Sequence, residues 1–182
     1  LTYTSVYAVL CGDEQETKRY QDLKESFFMM QELSEILSER RKKAGMLDLD
    51  VPEVHFELDE NEKVRVVAAR ERNAAHILIE NFMVAANEII AKHFATLKLP
   101  FIYRVHEKPT KEKIDAFLYY LNSLGLSTPE ITDCTPDDVQ ELLKLLDGKP
   151  YEQIANKVLL RSLQKARYLE DCIGHFGLAL DK

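Results

Sequence analysis

The sequence predicts a helix-rich α+β fold in a single domain spanning residues 1–182. Long stretches with apolar residues three or four positions apart indicate amphipathic helices. Between them lie a few short stretches in which apolar and polar residues alternate, as they do in strands. The six Gly and six Pro residues form no low-complexity linker, so we expect no internal domain boundary. A chain of 182 residues is long enough to bury a substantial core.

The first quarter of the chain predicts one long helix. Residues Leu1–Leu10 are compatible with a strand or a helix, and Gly12–Thr17 interrupts them. From Lys18 to Lys43, apolar residues recur at helical spacing and charged residues occupy the opposite side. Gly45 follows as a stop signal. We therefore expect a single amphipathic helix over 18–43.

The next segment predicts a β-hairpin and a second long helix. Apolar and polar residues alternate over Val54–Leu58 and again over Val64–Ala68, on either side of an acidic turn. The side-chain oxygen of Asn73 can accept a hydrogen bond from an early helical amide. We therefore expect Asn73 to cap a helix that continues through His93.

The second half of the chain predicts a short strand and three helices. The strand is expected at Phe101–His106, after a proline. Glycine, proline and capping residues delimit three helical segments, which are Pro109–Leu124, Thr135–Leu146 and Tyr151–Arg167. The final segment, Gly174–Leu180, places two glycines around a His-Phe pair, and this predicts a backbone that bends or passes close to a neighbour.

Composition narrows the classes of function. The net charge is −7, whereas an isolated nucleic-acid binder usually carries a basic excess, so composition alone argues against RNA as the partner. No apolar run approaches the roughly 18 residues needed to cross a bilayer, and the N-terminus does not resemble a signal peptide. The three cysteines form no C-x-x-C pair, which argues against a disulfide framework or a zinc site. We expect a cytoplasmic protein with no membrane partner.

The segment Arg72–Asn87 carries three distinct faces at helical spacing. The broad apolar face comprises Leu78, Phe82, Ala85, Ala86 and Ile89. A separate stripe comprises His76, Glu80, Met83 and Asn87. The third sector, most simply the solvent side, comprises Asn81, Glu88 and Lys92. The stripe is either an exposed face without function or a means of holding the Glu80 carboxylate where it can accept a hydrogen bond from a ligand.

Four segments in order resemble the ribonuclease II / ribonuclease R (RNB) family of 3′→5′ exoribonucleases. They are Leu1–Thr4, Arg72–Asn87, Tyr103–Glu107 and Arg161–Leu180. The resemblance covers residues 1–180. It implies that the parent enzyme uses Mg²⁺ to hydrolyse single-stranded RNA from the 3′ end to nucleoside 5′-monophosphates, with metal ions activating water.

The resemblance also implies two RNA-binding residues. Glu80 matches the family's glutamate that contacts a ribose hydroxyl near the RNA 3′ end, and Tyr3 matches a tyrosine that supports recognition of the terminal nucleotides as RNA. The chemistry fits, because the 2′-OH is a donor that distinguishes RNA from DNA and a phenol ring can stack on a base or sugar. Leu49 stands where some relatives have a phenylalanine that stacks on RNA, and leucine has no π-face for that role.

The same resemblance implies no catalytic residue and no metal ligand within this chain. The family's Mg²⁺-binding aspartates precede the segment that matches Leu1, and its catalytic arginine follows the segment that ends near Leu180. We expect an enzyme fragment that is inactive in isolation, forms part of the RNA channel wall, and self-associates through apolar surface left uncovered. The alternative is a naturally truncated, non-catalytic module that binds RNA or protein.

Two acidic pairs and one Cys-His pair have simpler explanations than chemistry. Asp48 with Asp50, and Asp137 with Asp138, resemble metal ligands, but short acidic pairs usually cap helices or lie in turns. The cysteine at 172, three residues before a histidine, has neither an orienting third group nor an oxyanion hole in the sequence pattern.

Basic residues in the second half leave two interpretations open. Arg104 and His106 point to one face of the predicted strand, toward either RNA or a structural carboxylate. Arg161 and Arg167 are compatible with a phosphate contact, and a salt bridge within this acidic domain is the favoured interpretation.

Overall fold

A computed structural model describes residues 1–47, 54–69 and 72–180. Their helices and short strands confirm the predicted helix-rich α+β class. Contacts cluster in two compact units, the first comprising Leu1–Arg40 and Pro52–Ile90, the second Arg41–Val51 and Ala91–Lys182. The expectation of a single domain over 1–182 stays a prediction.

The first unit begins with two short helices, α1 (Tyr3–Leu10) and α2 (Glu14–Arg19). The open choice at the N-terminus is therefore decided in favour of a helix. Thr2 starts α1 because its hydroxyl accepts a hydrogen bond from the amide of Ser5, while the Ser5 side chain accepts one from the Thr2 amide.

The prediction of one helix over 18–43 is wrong at its beginning. The carboxylate of Asp13 accepts a hydrogen bond from the amide of Glu16 at 2.8 Å, so α2 starts within the segment expected to be a break. The chain leaves helical geometry at Tyr20, forms a 3₁₀ turn over Gln21–Leu23, and starts α3 at Lys24–Lys43. Apolar spacing continues across this bend, so periodicity alone does not reveal it.

The β-hairpin is confirmed. Strands β1 (Val54–Leu58) and β2 (Val64–Ala69) pair antiparallel, with Phe56 opposite Val67. The carboxylate of Asp59 closes the turn by accepting hydrogen bonds from the amides of Asn61 and Lys63 at 2.8 and 2.9 Å. This explains why the acidic segment turns the chain.

Helix α4 (Ala74–Leu97) follows the hairpin and carries the patterned stripe. Asn73 caps it as predicted, because its side-chain oxygen accepts hydrogen bonds from the amides of Ala75 and His76 at 3.1 and 3.4 Å. The helix ends one turn beyond the predicted end at His93.

The assignment of Asn81 to the solvent side is wrong. Its side chain is only 5% exposed, and its amide nitrogen lies 2.8 Å from the hydroxyl of Ser34 and 2.7 Å from that of Ser38, both on α3. A sequence pattern classes an amide as polar and therefore exposed, whereas here two hydroxyls on a neighbouring helix satisfy it. Ile89, on the predicted apolar face, is 67% exposed.

Helix α4 departs from the expectation that no segment is long and apolar enough to cross a bilayer. Over 18 residues its mean hydropathy reaches 1.2, so among the described residues one helix has the length and composition to cross a bilayer. The core helix of a soluble protein can meet the same criterion. The length and composition of α4 therefore do not by themselves assign it to a membrane.

The second unit comprises a two-stranded sheet and three helices. These elements are β3 (Tyr103–Val105), α5 (Lys111–Ser123), α6 (Pro136–Leu146), α7 (Glu152–Ser162) and β4 (Arg167–Leu169). The fully buried residues Phe117, Leu142 and Leu159, one from each helix, belong to its core. Helix α6 starts as predicted, because Thr135 and Asp138 form a reciprocal capping box.

The prediction of a helix over 151–167 is wrong at its end. Helix α7 stops at Ser162, and Leu163 adopts an extended conformation with its side chain buried. Residues Arg167–Leu169 then pair antiparallel with β3, with Tyr168 opposite Arg104. No glycine or proline marks this transition in the sequence. The strand depends instead on pairing with β3, about sixty residues earlier in the chain.

The glycine-flanked tail both bends and passes close to a neighbour, as predicted. Gly174 has a φ of +92°, which favours glycine. Gly177 makes the close approach, since a Cβ there would lie 2.9 Å from Nδ1 of His106. The amide of Leu47 donates a hydrogen bond to the Gly177 carbonyl at 3.0 Å, which holds the tail from a second direction.

Candidate functional site

Tyr3 lies in the first turn of α1 and stacks on His76 at the start of α4. The two ring centroids are 4.3 Å apart, and the ring planes differ by 14°. Tyr3 is still 46% exposed, so part of the residue remains accessible. The Thr2–Ser5 capping box positions this residue by determining where α1 begins.

The His76 ring has a defined orientation and tautomer. Its Nδ1 lies 2.9 Å from the side-chain oxygen of Asn73, which also accepts the amides of Ala75 and His76. Because that oxygen only accepts, Nδ1 must carry the hydrogen and donate it. In the neutral ring, Nε2 is then an acceptor.

Glu80 follows His76 by one helical turn, so both side chains lie on one side of α4. Its carboxylate pairs with Arg72 through several contacts, the shortest 2.9 Å from the terminal guanidinium nitrogen and another 3.2 Å from Nε. The two side chains are about half exposed, at 53% for Glu80 and 48% for Arg72. The forked guanidinium orients the carboxylate, whose further lone pairs can accept a hydrogen bond from a ligand.

The structure relates the two predicted site residues to each other through His76, a residue that sequence reasoning did not assign to the site. His76 contacts Tyr3 and shares a helix face with Glu80. The position of His76 on the same helix stripe as Glu80 indicated a shared site. The spacing of residues along the sequence does not connect it to Tyr3, which lies 73 residues earlier. An exposed aromatic ring beside an oriented carboxylate can stack on one ring and accept a hydrogen bond from a nearby hydroxyl.

The remaining candidate residues from the sequence analysis have separate outcomes. Asp48, Leu49 and Asp50 lie outside the described residues. Asp138 belongs to the cap of α6. Across residues 1–47, 54–69 and 72–180, no group of three His, Cys, Asp or Glu side chains is arranged to hold a metal ion.

The structure settles the role of His106 in the second unit. Its Nε2 lies 2.8 Å from the carbonyl oxygen of Gln164, and its Nδ1 accepts a hydrogen bond from the amide of Gly177 at 3.0 Å. Both ring nitrogens are therefore used by backbone groups, and neither of them pairs with a carboxylate. Burial lowers the pKa of His106, which favours the neutral ring.

The arginine within β3 and the arginine within β4 have different partners. Arg167 donates to Glu107 at 2.8 Å, which confirms the predicted salt bridge for this residue. The guanidinium carbon of Arg104 lies 5.9 Å from the ring centroid of Tyr168.

A cavity of about 590 Å³ lies between the segment that follows β3 and the tail of the second unit. His106, Gln164 and His175 are among its lining residues. Burial, assisted by the neighbouring His106, lowers the pKa of His175 to about 4. The Nδ1 of His175 accepts the amide of Leu178 at 3.2 Å, so this ring serves the local backbone.

Comparisons with known proteins agree on one family. The sequence model of the RNB domain family matches residues 1–182. Ribonuclease R from Aquifex aeolicus is 36% identical over 181 residues, which cover 100% of this chain and 26% of that protein. Ribonuclease R from Thermotoga maritima is 39% identical over 168 residues, which cover 92% of this chain and 24% of that protein.

Solved structures show the same similarity. The apo form of Mycoplasma genitalium RNase R matches with a TM-score of 0.84 and 25% identity, over 98% of this chain and 28% of that one. The same protein in complex with ribose methylated single-stranded RNA matches with a TM-score of 0.83 and 25% identity, over the same shares. The chain therefore spans about a quarter of the length of these relatives.

Proposed function

The chain belongs to the RNB domain family, and on that premise we propose that it is the ribose-recognising part of a 3′→5′ exoribonuclease. The parent enzyme hydrolyses single-stranded RNA to nucleoside 5′-monophosphates in the cytoplasm. Within it, residues 1–182 form part of the wall of the RNA channel, and the 3′-terminal nucleotides contact Tyr3 and Glu80.

The observation that carries this proposal is the arrangement of Tyr3, His76 and Glu80. The phenol ring of Tyr3 stacks on His76, and His76 lies one helical turn before the carboxylate that Arg72 orients. A nucleotide offers the matching pair of groups, since its base or sugar can stack on the phenol and its ribose hydroxyl can donate to the carboxylate.

The same arrangement explains selection of RNA over DNA. A 2′-OH donates to Glu80, whereas deoxyribose has no donor there and leaves a desolvated carboxylate without its hydrogen bond. Because Glu80 is about half exposed, water compensates part of that loss. We expect a preference of about tenfold from this contact, in keeping with a hydrogen bond to a charged group.

Mg²⁺ is the proposed cofactor of the parent enzyme, with ligands outside this chain. The described residues provide no group of three side chains to hold it, so no step of the reaction is assigned to them. Their proposed contribution is to bind and orient the RNA.

Glu80→Ala in the complete parent polypeptide tests this assignment. We expect the ratio of RNA to DNA affinity to fall about tenfold, because the only change at the ribose is the loss of an acceptor. Binding of matched RNA and DNA oligonucleotides, measured with EDTA present, gives the ratio directly. The matched control is Glu141→Ala, which removes an exposed carboxylate from α6 and is expected to leave the ratio unchanged. Unchanged discrimination in Glu80→Ala would remove Glu80 from this role.

A further inference from the structure

The β3–β4 sheet of the second unit has one buried face and one open face. Tyr103 and Val105 are buried at 7% and 1% exposure. Arg104 lies between them, is exposed, and is directly opposite Tyr168, which is 67% exposed. Because opposite residues of an antiparallel pair share a face, both side chains extend from the open face of the sheet.

The two side chains contact each other and still leave most of the tyrosine uncovered. The 5.9 Å separation of guanidinium carbon and ring centroid is within the range of a cation–π contact. A contact of this kind orients the ring. It does not explain why so large an aromatic side chain remains in water.

The chain around Tyr168 carries charges of both signs, whereas the whole chain has a net charge of −7. From Arg161 to Leu169 there are three basic residues, and the exposed Glu170 and Asp171 follow directly. Arg167 is neutralised by Glu107. Arg161, in the last turn of α7, and Lys165, two residues before β4, are exposed. An exposed aromatic ring in contact with a guanidinium is complementary to a polyanion that carries flat rings.

We propose that the Arg104–Tyr168 pair is a second contact for single-stranded nucleic acid, in which a base stacks on Tyr168 and the adjoining phosphate pairs with Arg104. The proposal rests on the proposed function, because the polyanion available to the parent enzyme is its RNA. It adds a site in the second unit, distinct in chemistry from the Tyr3 and Glu80 site in the first.

The chemistry of this second contact predicts how it differs from the first. It contains a ring and a guanidinium, which recognise a base and a phosphate, and neither of these distinguishes RNA from DNA. The Glu80 carboxylate instead accepts from the hydroxyl that only RNA has. Loss of the second contact should therefore weaken RNA and DNA binding equally and leave their ratio unchanged.

Equilibrium binding of labelled oligouridylate and its deoxy counterpart to the complete parent polypeptide, with EDTA to prevent hydrolysis, tests the proposal. Tyr168→Leu should weaken both about fivefold to a hundredfold, the range expected for loss of one base–aromatic stack. Tyr168→Phe keeps the ring and should bind like the wild type. Arg104→Gln should weaken both and lower the slope of log affinity against log salt by about 0.7 for one lost phosphate contact.

The matched control is Tyr119→Leu, which removes another exposed tyrosine of the second unit, at 79% exposure on α5. It should leave both affinities unchanged. Photocrosslinking of wild-type protein to an oligonucleotide containing 5-iodouridine gives a readout that does not depend on the folding of any variant, and the crosslink is expected at Tyr168.

Each possible result either supports or overturns the proposed contact at Tyr168 and Arg104. Tyr168→Leu binding as tightly as Tyr119→Leu, or a crosslink that avoids Tyr168, would show that the pair only stabilises the two strands. Loss of RNA affinity without loss of DNA affinity would also overturn the proposal. If Glu80→Ala leaves discrimination unchanged while Tyr168→Leu weakens both ligands, the ribose assignment fails and this second contact stands.

Discussion

At the residue scale, two histidines hold the tail of the second unit through the same ring atom. Nδ1 of His106 accepts from the amide of Gly177, and Nδ1 of His175 accepts from the amide of Leu178. A ring nitrogen accepts only while it carries no proton, so these contacts require the neutral rings. Burial lowers the pKa of both side chains, in agreement with that requirement.

This arrangement predicts acid sensitivity. Because the folded pKa of His175 is about 4 and the ordinary value is 6.5, the unfolded chain binds more protons between these values. The stabilising contribution is complete above about pH 6.5 and is lost as the pH falls toward 4. Denaturant unfolding at a series of pH values measures it.

His175→Asn isolates the cause of that dependence. The asparagine oxygen can occupy the place of Nδ1 and accept the Leu178 amide, but it does not titrate. We expect a weaker loss of stability on acidification than in the wild type. His93→Asn, at an exposed position on α4, should retain the wild-type dependence. An unaltered pH profile in His175→Asn would contradict the assignment.

At the scale of elements, helices α3 and α4 meet in the first unit through polar groups. Asn81 of α4 lies within hydrogen-bond distance of both Ser34 and Ser38 of α3. Buried amides are stabilising only while these bonds are made, so this contact specifies how the two helices align within the unit.

Asn81→Ala should lower the free energy of unfolding by about 1–3 kcal/mol, because it removes the amide and leaves two serine hydroxyls without this partner. Chemical denaturation of the chain measures the change. Asn87→Ala removes the same group from an exposed position of the same helix and should change stability by no more than about 0.5 kcal/mol. Equal effects of the two substitutions would show that the α3 contact is not stabilising.

Predictability of the elements depended on whether their signals were local. The cap at Thr135–Asp138 and the turn at Asp59 are made by side chains within a few residues, and both were found from the sequence. The bend at Tyr20 and the end of α7 at Ser162 were missed. At the second of these, a strand pair formed with β3 overrides a sequence that could continue as a helix.

At the scale of the whole molecule, large apolar side chains are exposed along the hairpin of the first unit. Phe56 and Val67 face each other across the two strands at 55% and 63% exposure. Surface of this kind is typical of an interface, and self-association of the isolated chain through it remains our expectation.

The purified 182-residue chain should show no Mg²⁺-dependent degradation of RNA. It spans about a quarter of its relatives, and the resemblance places the metal-binding aspartates and catalytic arginine outside it. Incubation with labelled single-stranded RNA and Mg²⁺ measures this, with the complete parent polypeptide as the active control. Robust degradation by the purified chain that EDTA abolishes would contradict the prediction.

The sequence by itself determined the family, the α+β class, the starts of α4, α6 and α7, and the two ribose-site candidates. These depend on periodicity, capping residues and motif order, all of which lie along the chain. Only the tertiary structure decided that Tyr3 stacks on His76, that Arg72 orients Glu80, and that Tyr168 lies beside Arg104. Two of these contacts join residues more than sixty positions apart, and in the third an arginine reaches a helix face two turns along. Such pairings follow from how packed elements align, which no local pattern encodes.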